Sequence, residues 1–161
     1  MIVASLLALS LFGHPLLEPV QTTTKDRHVG GWTVRVTWDR FTGHTECTLR
    51  KGQVELQKDV LVFHSAKWID TADALFRIDG GAVRNVHEAT YEDERRGYYR
   101  DGGPLENPSR GEVALPTSYL TGAKWVYIRT NPNRAPDAFD VRGFSDALAL
   151  ARAQKCPRLD S

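Results

Sequence analysis

Cysteine is scarce in this chain, with only Cys47 and Cys156 among 161 residues. Neither belongs to a C-x-x-C pair, so the thioredoxin-type redox signature and a thiolate zinc cage are both missing. The five histidines, His14, His28, His44, His64 and His87, show no HxH or HExxH spacing that would put two imidazoles on one face for a metal. No serine stands in a G-x-S-x-G elbow, which removes the usual device for straining a nucleophile into exposure. Gly80-Gly81 and Gly102-Gly103 are followed by no helical pattern, so neither resembles a phosphate loop. Charge of one sign is lacking too. Lys plus Arg number 21 against 20 Asp plus Glu, interspersed, and the resulting net charge of +1 predicts no nucleic-acid partner. No apolar run reaches the ~20 residues that span a bilayer as a helix.

What is present begins with an apolar leader that carries no charged side chain before Glu18. Residues 1–12 have the length of a signal-peptide hydrophobic region, and Pro15 and Pro19 interrupt any helical continuation. We read residues 1–24 as a signal peptide or leader with a polar linker, and residues 30–157 as one folded domain. A length of 161 residues suits one domain with a true core. In an oxidising compartment a lone pair of cysteines is by default a disulfide, so Cys47 and Cys156 are expected to bridge. The protein is therefore expected to be periplasmic or secreted, with no integral membrane span once mature.

Extended structure dominates the pattern. Trp32, Val34, Val36 and Trp38 alternate with Thr33, Arg35 and Thr37, the period of a half-buried strand. A turn at Thr42, Gly43 and His44 leads into residues 45–50, with Cys47 and Leu49 inward, which predicts an antiparallel hairpin. Residues 60–63 are apolar throughout and predict a central strand. Residues 75–79 form another, ending at Gly80-Gly81, where a left-handed turn is expected. Further strands are predicted over 83–90, 112–115, 125–129 and 139–141. Residues 117–120 suit a single turn. Ser145 reads as the N-cap of the one persuasive helix, with Asp146 in its first turn and Ala147, Leu148, Leu150 and Ala151 as its apolar stripe. The expected fold is mainly β, an antiparallel β-sandwich or curved sheet of about seven or eight strands with one C-terminal helix.

The Trp strand followed by a Cys strand, FRIDGG at 76–81, GAKWVYIR at 122–129, and FDVRGFSDAL at 139–148 running to a terminal Cys resemble the corresponding segments of the invasion-associated locus B family of small exported alphaproteobacterial proteins. The resemblance spans residues 30–156. It implies an extracytoplasmic β-rich domain, in some members linked to host-cell interaction, and it supplies no catalytic residue.

Residues 92–111 break every periodic pattern and read as a long loop. There Arg95, Arg96, Tyr98, Tyr99 and Arg100 gather the planar, amphipathic groups favoured at recognition hot spots. Opposing this, Glu92, Asp93, Glu94 and Asp101 can neutralise the arginines as ordinary surface pairs. Asp70 and Asp73 lack the ligand alternation of a calcium loop and suit turns. We therefore expect an exported, disulfide-closed binding domain that meets a protein or cell-envelope component, with no cofactor, no metal and no catalysis required. The alternative is a small periplasmic hydrolase or metal-dependent enzyme whose His64, His87 and Glu88 converge only in the fold. A third reading keeps the leader uncleaved, as the anchor of a structural envelope protein.

Overall fold

The alternation that starts at Trp32 becomes a strand in a computed structural model, which describes residues 22–57, 60–65, 71, 73–87 and 111–156. The described residues form two antiparallel sheets, the expected single turn at Thr117–Leu120, which is 3-10, and an α-helix near the C-terminus. Strands β1 (Thr22–Val29), β2 (Trp32–Asp39), β3 (Thr45–Lys51), β4 (Val54–Gln57), β5 (Val60–His64) and β8 (Glu112–Pro116) make a six-stranded sheet in the order β1-β2-β3-β4-β5-β8. Strands β6 (Leu75–Ile78), β7 (Arg84–Asn85), β9 (Trp125–Arg129) and β10 (Asp137–Asp140) make a second, ordered β10-β9-β6-β7. Helix α1 (Phe144–Ala153) follows β10. The expected mainly β class with a C-terminal helix is what the chain adopts.

The inner faces and the helix enclose one apolar core. Trp32, Val34 and Leu49 of the long hairpin meet Phe144, Ala147 and Ala151 of α1, all buried, and the Trp32 and Phe144 rings sit 5.3 Å apart. Across the sheets, Phe63 of β5 packs edge-on to Phe139 of β10 at 5.2 Å. Each aromatic contact of this kind adds about 0.5–1.5 kcal/mol beyond its area burial. The uniformly apolar β5 is explained by burial on both sides: Leu61 and Phe63 face the main core, while Val60 and Val62 bury with Ala114 of β8 on the other face.

The predicted bridge is present. Cys47 and Cys156 form a disulfide with a Cα–Cα separation of 5.6 Å, joining β3 to the end of α1 over 109 residues of sequence.

Four local expectations need correction. The polar stretch before residue 26, expected as linker, is strand from Thr22, paired with β2 from Thr22↔Asp39 to Val29↔Trp32. All its side chains except Val29 are exposed, so backbone pairing with β2 and not hydrophobic alternation holds it. Of the segment expected as strand over 83–90, the described residues 83–87 pair with β6 only at Arg84 and Asn85. At the end of β6 the left-handed residue is Asp79, with φ 50°, and not Gly80 or Gly81. The Asp79 carboxylate accepts the backbone amides of Lys124, at 3.1 Å, and Trp125, at 2.8 Å, which offsets the strain of that conformation. Finally, Gly143 and not Ser145 is the N-cap, at φ 79°, and Ser145 lies inside the first turn.

Candidate functional site

The sequence-predicted recognition residues Arg95, Arg96, Tyr98, Tyr99 and Arg100 lie outside the described residues, as does Glu88. The histidines that the alternative reading would bring together, His64 and His87, make separate local contacts among the described residues. His64 ends β5 opposite Glu112, with its Nδ1 at 3.4 Å from the Glu112 Oε1. The neighbouring Ser65 hydroxyl donates to Asp137 at 3.3 Å. His87 uses its backbone amide to cap the Asn85 side chain at 2.7 Å. Among the described residues no three His, Cys, Asp or Glu side chains gather as a metal would require.

A polar junction beneath the helix start has an architectural role. The Trp32 indole N–H and the Lys51 ammonium both donate to the Arg142 carbonyl, each at 2.9 Å, and Lys51 also reaches the Gly30 carbonyl at 3.2 Å. Asp140 completes it. Its carboxylate takes two hydrogen bonds from the Arg142 guanidinium, at 2.8 and 2.9 Å, and lies 3.2 Å from Lys51. These charge-assisted bonds, the Arg142 pair foremost, hold the Asp140 carboxyl well below the usual carboxylate range.

Because the folded state prefers the ionised form, this contribution is complete above the ordinary Asp pKa, near 4, and is lost as pH falls through the depressed folded value. For a partly exposed group the effect should be about 1 kcal/mol. Asp140→Asn should therefore lower the urea midpoint at pH 7 and flatten its fall between pH 4 and 2. A variant with an acid limb as steep as that of the parent protein would show that Asp140 is not a source of the acid sensitivity.

The outer face of the four-stranded sheet has a different character. Inward-facing Phe76, Ile78, Val126, Ile128 and Phe139 use up one side of β6, β9 and β10, so the pleat turns Leu75, Arg77, Trp125, Tyr127 and Arg129 outward. Register then sets the neighbours, with Arg77 opposite Tyr127 and Leu75 opposite Arg129. The Arg77 guanidinium lies over the Tyr127 ring at 5.1 Å, and Arg142 lies over Trp125 at 5.2 Å. Beside the Arg77–Tyr127 pair opens a shallow cavity of about 170 Å³, lined by Leu75, Phe76, Arg77, Val83, Tyr127, Arg129 and Pro136.

Arg77 and Arg129 are exposed and make no ion pair among the described residues. The cavity thus has an apolar floor, an aromatic wall and two guanidiniums at its mouth. Its volume falls below the ~300–1,000 Å³ of small-molecule sites, so it suits a side-chain-sized group and not an enclosed metabolite. The alternation of β9 in the sequence marks Tyr127 and Arg129 as outward, but nothing local reveals that Arg77, 50 residues earlier, lies beside Tyr127.

Searches of protein-family models, curated proteins and solved structures find nothing that matches this chain.

Proposed function

We propose that this protein is an exported binding domain of the cell envelope that captures an acidic protein segment on the outer face of its four-stranded sheet. The observation that carries this is the pair Arg77 and Arg129 flanking an apolar cavity beside Tyr127. Arg and Tyr are the residues most enriched at binding hot spots, and their placement on paired strands keeps them preorganised. A guanidinium with no carboxylate partner among the described residues offers its fork to a carboxylate from outside.

Export is supported by the apolar leader and by the disulfide, a bond that persists in oxidising compartments. The likeness to the invasion-associated locus B family belongs to this same proposal and agrees with it in compartment and fold class. Tyr98, Tyr99 and the arginines around them belong to it as a further contact region.

A fluorescein-labelled peptide alternating Glu and Phe, compared with its Gln counterpart by fluorescence polarisation, tests the assignment. The Glu peptide should bind more tightly, and R77A and R129A should each weaken it about tenfold, as expected for a hot-spot arginine. Both variants should keep the parental melting temperature, because neither side chain is part of the core. Equal binding of the two peptides, or an R77A/R129A double variant that binds as the parent does, would overturn it.

A further inference from the structure

The cavity beside Tyr127 separates its chemistry by depth. At its base Phe76 is buried and Leu75 half-buried, and the exposed Val83 and Pro136 add further apolar surface. Arg77 and Arg129 are exposed, so the base suits a hydrocarbon group and the mouth an anion. The volume of about 170 Å³ takes a single ring, since a cavity of about 150 Å³ accommodates benzene.

Strand register brings both guanidiniums to the same mouth. Arg77 pairs opposite Tyr127 and Leu75 opposite Arg129, which makes the two arginines diagonal neighbours, about 7–8 Å apart at the backbone. Side chains as long as arginine converge across that distance. Arg77 is held over the Tyr127 ring at 5.1 Å, and neither arginine has a carboxylate partner among the described residues.

Nearby acids are engaged elsewhere. The cavity lining includes no carboxylate. Asp79 accepts the Lys124 and Trp125 amides, Asp137 takes the Ser65 hydroxyl, and Asp140 is held by Arg142 and Lys51. Asp73 lies in the turn before β6, outside the lining.

An aspartate or glutamate inserted here would carry its anion at the end of the side chain, into the apolar base. The last residue of a polypeptide has the opposite layout, because its α-carboxylate shares a Cα with the side chain and stays at the mouth when that side chain goes in. We infer that the cavity takes the C-terminal residue of a partner polypeptide, with a large apolar final side chain at the base and the α-carboxylate on Arg77 and Arg129. This rests on the reading of this face as a peptide-binding surface. A free aromatic acid carries the same two groups, but the cavity is smaller than the ~300–1,000 Å³ of small-molecule sites and leaves the rest of its ligand on the sheet. There the outward row of β9 continues from Tyr127 to the half-buried Trp125, a surface on which the preceding residues can lie.

The probe is the peptide Gly-Ser-Gly-Ser-Gly-Phe with a neutral dye on its N-terminus, so that the terminal carboxylate is its only anion. In fluorescence polarisation with the full chain it should bind about tenfold more tightly than the same peptide ending in an amide, or ending in Ala. An R77A/R129A double variant should lose the preference for acid over amide and keep the parental melting temperature. N-acetylphenylalanine should displace the probe about tenfold more weakly than the unlabelled peptide does. Equal binding of acid and amide, an unchanged preference in the double variant, or equal competition by N-acetylphenylalanine would overturn the inference. Should any of these occur while an amidated Glu/Phe peptide still binds better than its Gln counterpart, the ligand is an internal acidic segment and the broader reading stands. If neither kind of peptide binds, both fall.

Discussion

Replacing both Cys47 and Cys156 with serine should lower the unfolding free energy by about 4 kcal/mol. The bridge spans 109 residues, and loop-closure entropy for a loop of that length amounts to about 4–5 kcal/mol. A domain of this size holds only about 5–15 kcal/mol in total, so the loss takes a large share of its stability. The site of the damage is specific. Cys156 is buried just beyond α1, and the bond pins the helix end to β3 while Phe144 at its start packs on Trp32. Without it the C-terminal end of the helix is held by its short apolar face, while the hydrogen bonds to the Arg142 carbonyl hold only its start.

Urea unfolding followed by far-UV circular dichroism measures the effect, with the reduced parent protein expected to match the double variant. Protein expressed into the periplasm of a Gram-negative host should alkylate at both thiols only after reduction. A shift below about 1 kcal/mol would mean that the reduced chain already confines the same loop, contrary to the entropic account.

The second large effect is expected at the helix start. Gly30 and Gly143 both have left-handed backbones, with φ 57° and 79°, and they touch. A Cβ on Gly143 would lie 2.9 Å from the Gly30 Cα and 3.1 Å from its carbonyl oxygen, backbone atoms that cannot swing away. Gly143→Ala should therefore cost about 1–2 kcal/mol for the left-handed conformation and about 1–3 more for forcing the β1–β2 turn and the helix start apart.

Gly43 provides the comparison. It is also left-handed, at φ 67°, but a Cβ there meets nothing within 4 Å, so Gly43→Ala should show the conformational cost alone. The difference between the two variants isolates the contact, read as the gap between their urea midpoints. If both variants unfold together, the turn and the helix are not held in register by this approach. A larger penalty at Gly143 should be accompanied by a change in Trp32 fluorescence, since the Arg142 carbonyl that its indole binds is the adjoining residue.

Much of the fold was legible because strands announce themselves locally. The stripe of Trp32, Val34 and Val36 required only a period of two, and 60–63, apolar without alternation, fitted burial on both faces. Strands whose pairing is not written in side chains escaped. β1 exposes nearly its whole length, and β4 is four residues long, so neither shows a period that distinguishes it from loop. The candidate site was less legible still. Tyr127 and Arg77 could each be placed on an outward face, yet their contact depends on β9 pairing with β6 across nearly 50 residues in one register out of several. The exposure of Trp38 and Phe41 at the β2–β3 turn escaped for a different reason. It comes from what fails to cover them, and a sequence pattern describes only what is apolar.

By itself, the amino-acid sequence determined a mainly β class with a helix after the last strand, and made a disulfide between Cys47 and Cys156 the default in an oxidising compartment. Alternation and cysteine number are properties of neighbouring residues or of composition, and they hold whatever the rest of the chain does. The tertiary structure alone decided which residue at each turn would be left-handed, which glycines would touch, and which outward side chains would become neighbours. At Asp79 two amides from 45 and 46 residues away made a left-handed aspartate stable where glycine was available next door. At Gly143 a distant backbone left no room for a side chain. Each outcome depends on strand register and close approach between segments remote in sequence, which arise only once the whole chain has packed.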